Sequence, residues 1–435
     1  MSESISIERL GIPPPAITGA IRWTGYVLFF GMLFLPTVYQ GPKGFLLAVV
    51  TAGIAFGSLW RGRIGLHPMV LSATLLFCVV GLIFMFLGAL RGAPGALRVG
   101  TVYVAWPLVY AILVAGSADG RVLTGLMRVL VVAGIAIGLY GLSYVLYAAG
   151  ILPEGLYLRL DQGQSIGFYE GFVEVNLYSL ASLLFLIPFL LAALVFWQGI
   201  SSPVPRGWLW AAFLFSALLA VLSGRRALLA VLGLSPLVIF FVWCVTPSRL
   251  RPKPRSVLPA LGGIILLGGF VGIYLGIAFD LRWQAIVEMV GRGFDFTSLD
   301  PSSSARAEQF RVLLDQWTRA PLFGAGHGAS AASLVRSDEM PWAYELSYVA
   351  LLYQTGLAGL IAYSAGIAWI FMMGLRLLHS GQQHALLLAP VLVGTALFLV
   401  GNATNPYLVK YDYLWVIFLP VAIINHWLLI RSRSV

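Results

Sequence analysis

The chain is 435 residues long, 60% hydrophobic and only 10% charged, with a mean hydropathy of +0.91. That leaves too little polar surface to enclose a water-soluble globule of this size, so a cytosolic enzyme is excluded and an integral membrane protein is expected. The formal net charge of +10 sits in short clusters between apolar runs rather than along one polar face, which points to membrane orientation and away from nucleic acid.

Residues 1–19 carry charges and Pro13, Pro14 and Pro15 in place of an apolar core with a small-residue cleavage site, so no removable signal peptide is expected. Twelve apolar runs of helix-spanning length follow. Their centres lie near Phe30, Val50, Val80, Ala105, Ile135, Phe185, Phe215, Leu237, Leu267, Leu360, Val393 and Leu419. The expected fold is an all-α polytopic membrane protein, with nine spans in 1–279, a large helical periplasmic loop in 280–345 and three spans in 346–435.

Sidedness follows from the basic residues. With the N-terminus inside, Arg61 and Arg63, Arg121 and Arg128, the cluster Arg249 to Arg255, and Arg431 and Arg433 all fall on the cytoplasmic side. Both termini are then cytoplasmic. The stretch 153–175 and the loop 280–345 face outward, and neither has a linker's composition. Within the loop, 305–319 reads as an amphipathic helix capped by Ser302-Ser303-Ser304 and closed by Pro321 and the glycines after it. Cys78 and Cys244 lie in apolar runs, which supports neither a disulfide framework nor a cysteine metal site.

Five arginines from separate parts of the chain reach the outer face: Arg159, Arg225, Arg226, Arg306 and Arg311. Any one of them has an ordinary reading as a side chain snorkelling to headgroups. Arg225 and Arg226 carry more weight, because they interrupt apolar sequence against the positive-inside bias, with little loop around them. A guanidinium fork pairs well with phosphate, so the group points to a phosphorylated or pyrophosphorylated lipid. Glu345 opens the apolar run that follows the loop and reads either as a helix cap or as a general base. His327, in Gly324-Ala325-Gly326-His327-Gly328, reads either as an orienting loop residue or as a ligand contact. No Walker A, HExxH or CxxC sequence is present, and no Asp-x-Asp in the outer loops, so metal-independent chemistry is expected, Asp295 and Asp300 reading as a solvated pair.

Four passages resemble the bacterial O-antigen ligase/polymerase superfamily. They are Arg159-Leu160 with Gly167-Phe168 and Glu174-Val175-Asn176-Leu177; Ser223-Gly224-Arg225-Arg226; Ser304-Ala305-Arg306 with Gln309, Trp317 and Pro321-Leu322-Phe323-Gly324; and Tyr344-Glu345-Leu346-Ser347-Tyr348 with Gln354, Gly356 and Gly359. The resemblance implies a C-type glycosyltransferase with an undecaprenyl-pyrophosphate-linked glycan as donor, no cofactor and no metal. Arg226 and Arg306 would neutralise the leaving pyrophosphate, with Arg159, Arg225 and Arg311 in support, and Glu345 would deprotonate the acceptor hydroxyl. Glu345 stands where ligases of the superfamily carry a His-Asn pair. This favours a polymerase of repeat units over a ligase acting on lipid A core. The other partners implied are a glycan acceptor, membrane lipids and a chain-length regulator. A secondary transporter or lipid flippase is the alternative from another class, since twelve spans alone would fit it.

Overall fold

A computed structural model describes residues 19–251 and 301–432, apart from 61, 63, 162, 170–171, 198–201, 333, 335–337 and 382–384. The expected span around Leu267, the pair Asp295 and Asp300, the basic residues Arg61, Arg63, Lys253, Arg255 and Arg433, and the N-terminal stretch fall outside the described residues.

Helices dominate. They are α1 Gly19–Phe34, α2 Gln40–Trp60, α3 Pro68–Leu90, α4 Ala96–Gly116, α5 Gly120–Ala148, α6 Leu180–Phe196, α7 Arg206–Leu222, α8 Arg226–Val245, α9 Pro301–Thr318, α10 Ser347–His379, α11 Ala385–Asn402 and α12 Trp415–Arg431. Seven of these are long and apolar enough to cross a membrane: α2, α3, α4, α5, α8, α10 and α11. The apolar helices α1, α6, α7 and α12 are shorter, at 16 or 17 residues. Eleven of the twelve expected centres fall inside these helices; the twelfth is Leu267.

The sequence LASLLFLIPFLLAALVF of α6 has no polar face to present to water, and every one of its residues is buried. It forms the axis of the fold, packed against α5, α7, α8 and α11. Small residues let its neighbours close in. A Cβ on Gly138 of α5 would stand 2.5 Å from Cβ of Phe215 on α7, so the two backbones approach only because that position is glycine.

Basic side chains gather at one end of the bundle and meet helix C-termini, whose last carbonyls lack intrahelical partners. Arg251 donates to the carbonyls of Cys244 (2.8 Å) and Thr246, Arg249 to that of Ser380 (3.2 Å), and Arg206 to that of Leu194. This is the end the charge bias assigns to the cytoplasm.

At the opposite end the stretch 153–175 contains a feature absent from the all-α expectation. A β-hairpin, β1 Ser165–Tyr169 and β2 Phe172–Asn176, pairs antiparallel with Ile166 opposite Val175. The amide of Val175 then donates to the carbonyl of Ser223 (3.0 Å), fastening the hairpin to the α7–α8 turn. A second correction concerns α9, described from Pro301 onward, in which Ser302-Ser303-Ser304 already lie within the helix instead of preceding it as caps.

The third difference is a break in α10. Gly356 has φ +62 and ψ −168, so the helix stops and restarts there. The loop after α9 supplies the missing hydrogen bonds. Leu357 and Ala358 donate to the carbonyls of Pro321 and Leu322 (2.9 Å each), while the carbonyls of Tyr353 and Gln354 accept from Ala325 and Gly326 (2.9 and 2.7 Å). Irregular backbone inside an apolar bundle is tolerated only when its polar groups are satisfied in this way.

A buried ion pair closes the end of the bundle that carries the hairpin. Lys43 Nζ lies 2.8 Å from Asp412 Oδ1, and Asp412 Oδ2 accepts from the Thr37 amide and Gln40 Nε2. Asp412→Asn is expected to lower the melting temperature in detergent by the equivalent of about 3 kcal/mol, because Lys43 is left charged and uncompensated. Replacing both residues with Met and Leu should recover much of that loss. A single variant as stable as the wild type would contradict this account.

Candidate active site

The turn between α7 and α8 places two arginines at a helix N-terminus. Arg225 is the N-cap residue and makes no side-chain capping bond, and Arg226 begins the helix. A positive side chain there stands against the helix dipole, and the free N–H groups of the first turn add to the positive field. The local arrangement therefore favours an anion.

Arg225 is held by the hairpin. Its Nη2 donates to Asn176 Oδ1, and its Nε stands 4.0 Å from Glu174 Oε1. Nε itself is buried and makes no hydrogen bond among the described residues. A buried charged donor without an acceptor is costly, and an incoming anion would satisfy it.

Arg306 comes from α9. Its Nε donates to Glu345 Oε2 at 2.9 Å, with the two side chains 32% and 28% exposed. Three residues along α9, the buried Gln309 accepts from the amide of Leu346 (2.8 Å), the residue that caps α10. One helix face thus fixes both Glu345 and the start of the helix it precedes.

Tyr407 joins the two arginines. It lies in the short turn Tyr407–Val409 before α12, and its ring feels Arg225, Arg306 and Glu345 together. Burial raises its phenol pKa; Arg225 and Arg306 oppose that rise and Glu345 adds to it. The phenol is therefore a hydrogen-bond donor at neutral pH. Asn402 positions this turn by accepting from the Leu408 amide (3.0 Å) while its own amide donates to Ser347 Oγ (3.1 Å) at the start of α10. Sequence reasoning did not single out Tyr407, whose only signal is the short polar run Asn402-Ala403-Thr404-Asn405 between two apolar spans.

Of the remaining candidates, Arg159 and Arg311 lie elsewhere. Arg159 is exposed beside Leu158, also exposed, and its charge reaches Tyr144. Arg311 is exposed on α9, five residues and so roughly 140° around the helix from Arg306. Neither joins the cluster of Arg225, Arg306, Glu345 and Tyr407 among the described residues. Arg226 is half-buried next to Arg225. Among the described residues no three His, Cys, Asp or Glu side chains converge as metal ligands would.

His327 is fully buried against α3, α4 and α10. Its Nε2 lies 2.8 Å from the Tyr363 hydroxyl, its ring stacks on Tyr103 at 4.3 Å, and its amide donates to the carbonyl of Phe84 (2.9 Å). Burial pushes the imidazole pKa down to about 4, with Gln354 opposing. In the unfolded chain the ring protonates near 6.5, so between roughly pH 6.5 and 4 the unfolded state binds the extra proton. Stability is complete above that window and falls as pH drops through it, by on the order of 3 kcal/mol in all. Melting curves from pH 7 to 4.5 should show the fall, and His327→Phe should flatten it.

No family model and no curated protein matches the chain. The geometry of this cluster is therefore the basis for a functional reading.

Proposed function

We propose that the chain is a polymerase of undecaprenyl-pyrophosphate-linked oligosaccharide repeat units, acting at the periplasmic face of a bacterial inner membrane through twelve spans with both termini in the cytoplasm. The observation that carries this reading is the meeting of Arg225, Arg306 and Glu345 around Tyr407, from four separate parts of the chain. Guanidinium groups next to the carboxylate of Glu345 suit a reaction that releases a diphosphate and takes a proton from the acceptor.

In this reading Arg225, through the Nε that makes no hydrogen bond, and Arg226, at the α8 N-terminus, hold the diphosphate of the donor. Arg306 carries donors besides the Nε that Glu345 occupies, so it can contact the same diphosphate. Glu345 accepts the proton of an acceptor sugar hydroxyl. That oxygen bonds to the donor's anomeric carbon as the bond from carbon to the diphosphate oxygen breaks, with inversion. Undecaprenyl pyrophosphate leaves with the electron pair, its charge offset by fixed guanidinium groups in place of a metal.

The ligase reading shares the donor and differs in the acceptor; Glu345, in place of a His-Asn pair, favours the polymerase. Purified protein given lipid-linked repeat units alone should lengthen them. Transfer that waits for lipid A core would identify a ligase, and counterflow of glycan lipid without product would identify a transporter.

A further inference from the structure

A cleft with about 110 Å³ of internal space runs between α1, α2, α4, α5 and α12 and is partly open. It follows α1 from Arg22 to Met32, about 15 Å along the helix axis. Leu28, Phe29, Val50, Ile54, Val114 and Leu419 give it an apolar wall.

Its polar end is at the basic end of the bundle. Arg22 and Tyr26 line it there, beside Gly116 and Ser117. Arg22 is half-buried and makes no hydrogen bond or ion pair among the described residues. The Tyr26 ring feels Arg22, Arg128 and Asp119, and its hydroxyl lies 3.5 Å from the carbonyls of Arg121 and Val122. Arg22 is the charged side chain of the lining, which leaves this mouth positive. A long apolar slot with a cationic mouth at the basic end of the bundle has the chemistry of one lipid: an acyl chain inside and an anionic headgroup at the rim.

We infer that this cleft binds one acyl chain of an anionic glycerophospholipid from the leaflet at the basic end, with its phosphate at Arg22. The site lies at the opposite end of the bundle from the Arg306–Glu345 pair and is independent of the glycan chemistry. Gly25 offers a direct probe. It lines the cleft, and a Cβ there would meet nothing nearer than Val50 Cγ1 at 3.9 Å, so a larger side chain would extend into free space.

The test is to incubate the detergent-purified full chain with equal amounts of phosphatidylglycerol and phosphatidylethanolamine, exchange the detergent exhaustively, and count retained lipid per chain by mass spectrometry. Wild-type protein should keep about one phosphatidylglycerol, with phosphatidylethanolamine at detergent background. Arg22→Ala should lower phosphatidylglycerol retention about tenfold, the loss of one charge-assisted contact. Gly25→Leu should bring phosphatidylglycerol down to detergent background while leaving the melting temperature of the protein within a few degrees. Equal retention of the two lipids by wild type, no retained lipid, or retention unchanged in both variants would overturn the inference. So would displacement of phosphatidylglycerol by undecaprenyl phosphate at equal concentration. If Gly25→Leu fails to fold, the Arg22→Ala comparison decides alone.

Discussion

Arg306→Ala is expected to abolish glycan transfer while leaving a folded protein in the membrane. The two halves of this expectation have different physical sources. The Arg306–Glu345 pair is about one-third exposed on each side, so solvent screens it and its loss removes roughly 1 kcal/mol of stability or less. Charge developing on a leaving diphosphate is another matter. One charge-assisted contact to it contributes about 1.5 to 3 kcal/mol, and more where water is excluded, so the rate should fall on the order of 10²-fold or further. Arg306→Lys keeps the charge but loses the planar fork that engages Glu345 and a phosphate oxygen together, so it should restore only part of the rate. Chain length on gels and melting curves in detergent read the two effects separately. Near-normal polymer from the alanine variant would remove Arg306 from the leaving-group role.

Some of this arrangement is legible in the amino-acid sequence because it is local. The burial of α6 follows from a run without a polar face, and the significance of Arg225 and Arg226 follows from charges placed where orientation alone would not put them. The Arg306–Glu345 contact is also anticipated in kind, since both residues lie in passages assigned to the same outer face. What escapes is non-local. The break at Gly356 depends on carbonyls of Pro321 and Leu322 more than thirty residues earlier, and hydrophobic periodicity has no means of registering a hydrogen bond made across a loop. Lys43 and Asp412 are 369 residues apart, so neither predicts the other. Tyr407 resembles any tyrosine at the edge of an apolar span, where aromatic residues are common for reasons of membrane anchoring. Only its neighbours distinguish it. The hairpin at Ser165–Tyr169 and Phe172–Asn176 is too short for strand periodicity to stand out, yet it supplies the Asn176 contact that orients Arg225.

The site's division of labour also predicts how Glu345→Gln should behave. Glutamine keeps the shape of the side chain and an oxygen able to accept from Arg306 Nε, so the positions of α9 and α10 should hold. It cannot take a proton from a hydroxyl at useful strength, and loss of a general base lowers turnover by roughly 10² to 10⁴-fold. Donor affinity should follow a different course. In the wild type the carboxylate competes with the diphosphate for Arg306, and a neutral amide competes less, so binding of the lipid-linked donor should be unchanged or tighter. Single-turnover rates at saturating donor, set beside donor binding measured without acceptor, separate the two quantities. A variant in which affinity collapses while the single-turnover rate is preserved would make Glu345 a structural partner of Arg306, and the proton would then need another acceptor at this cluster.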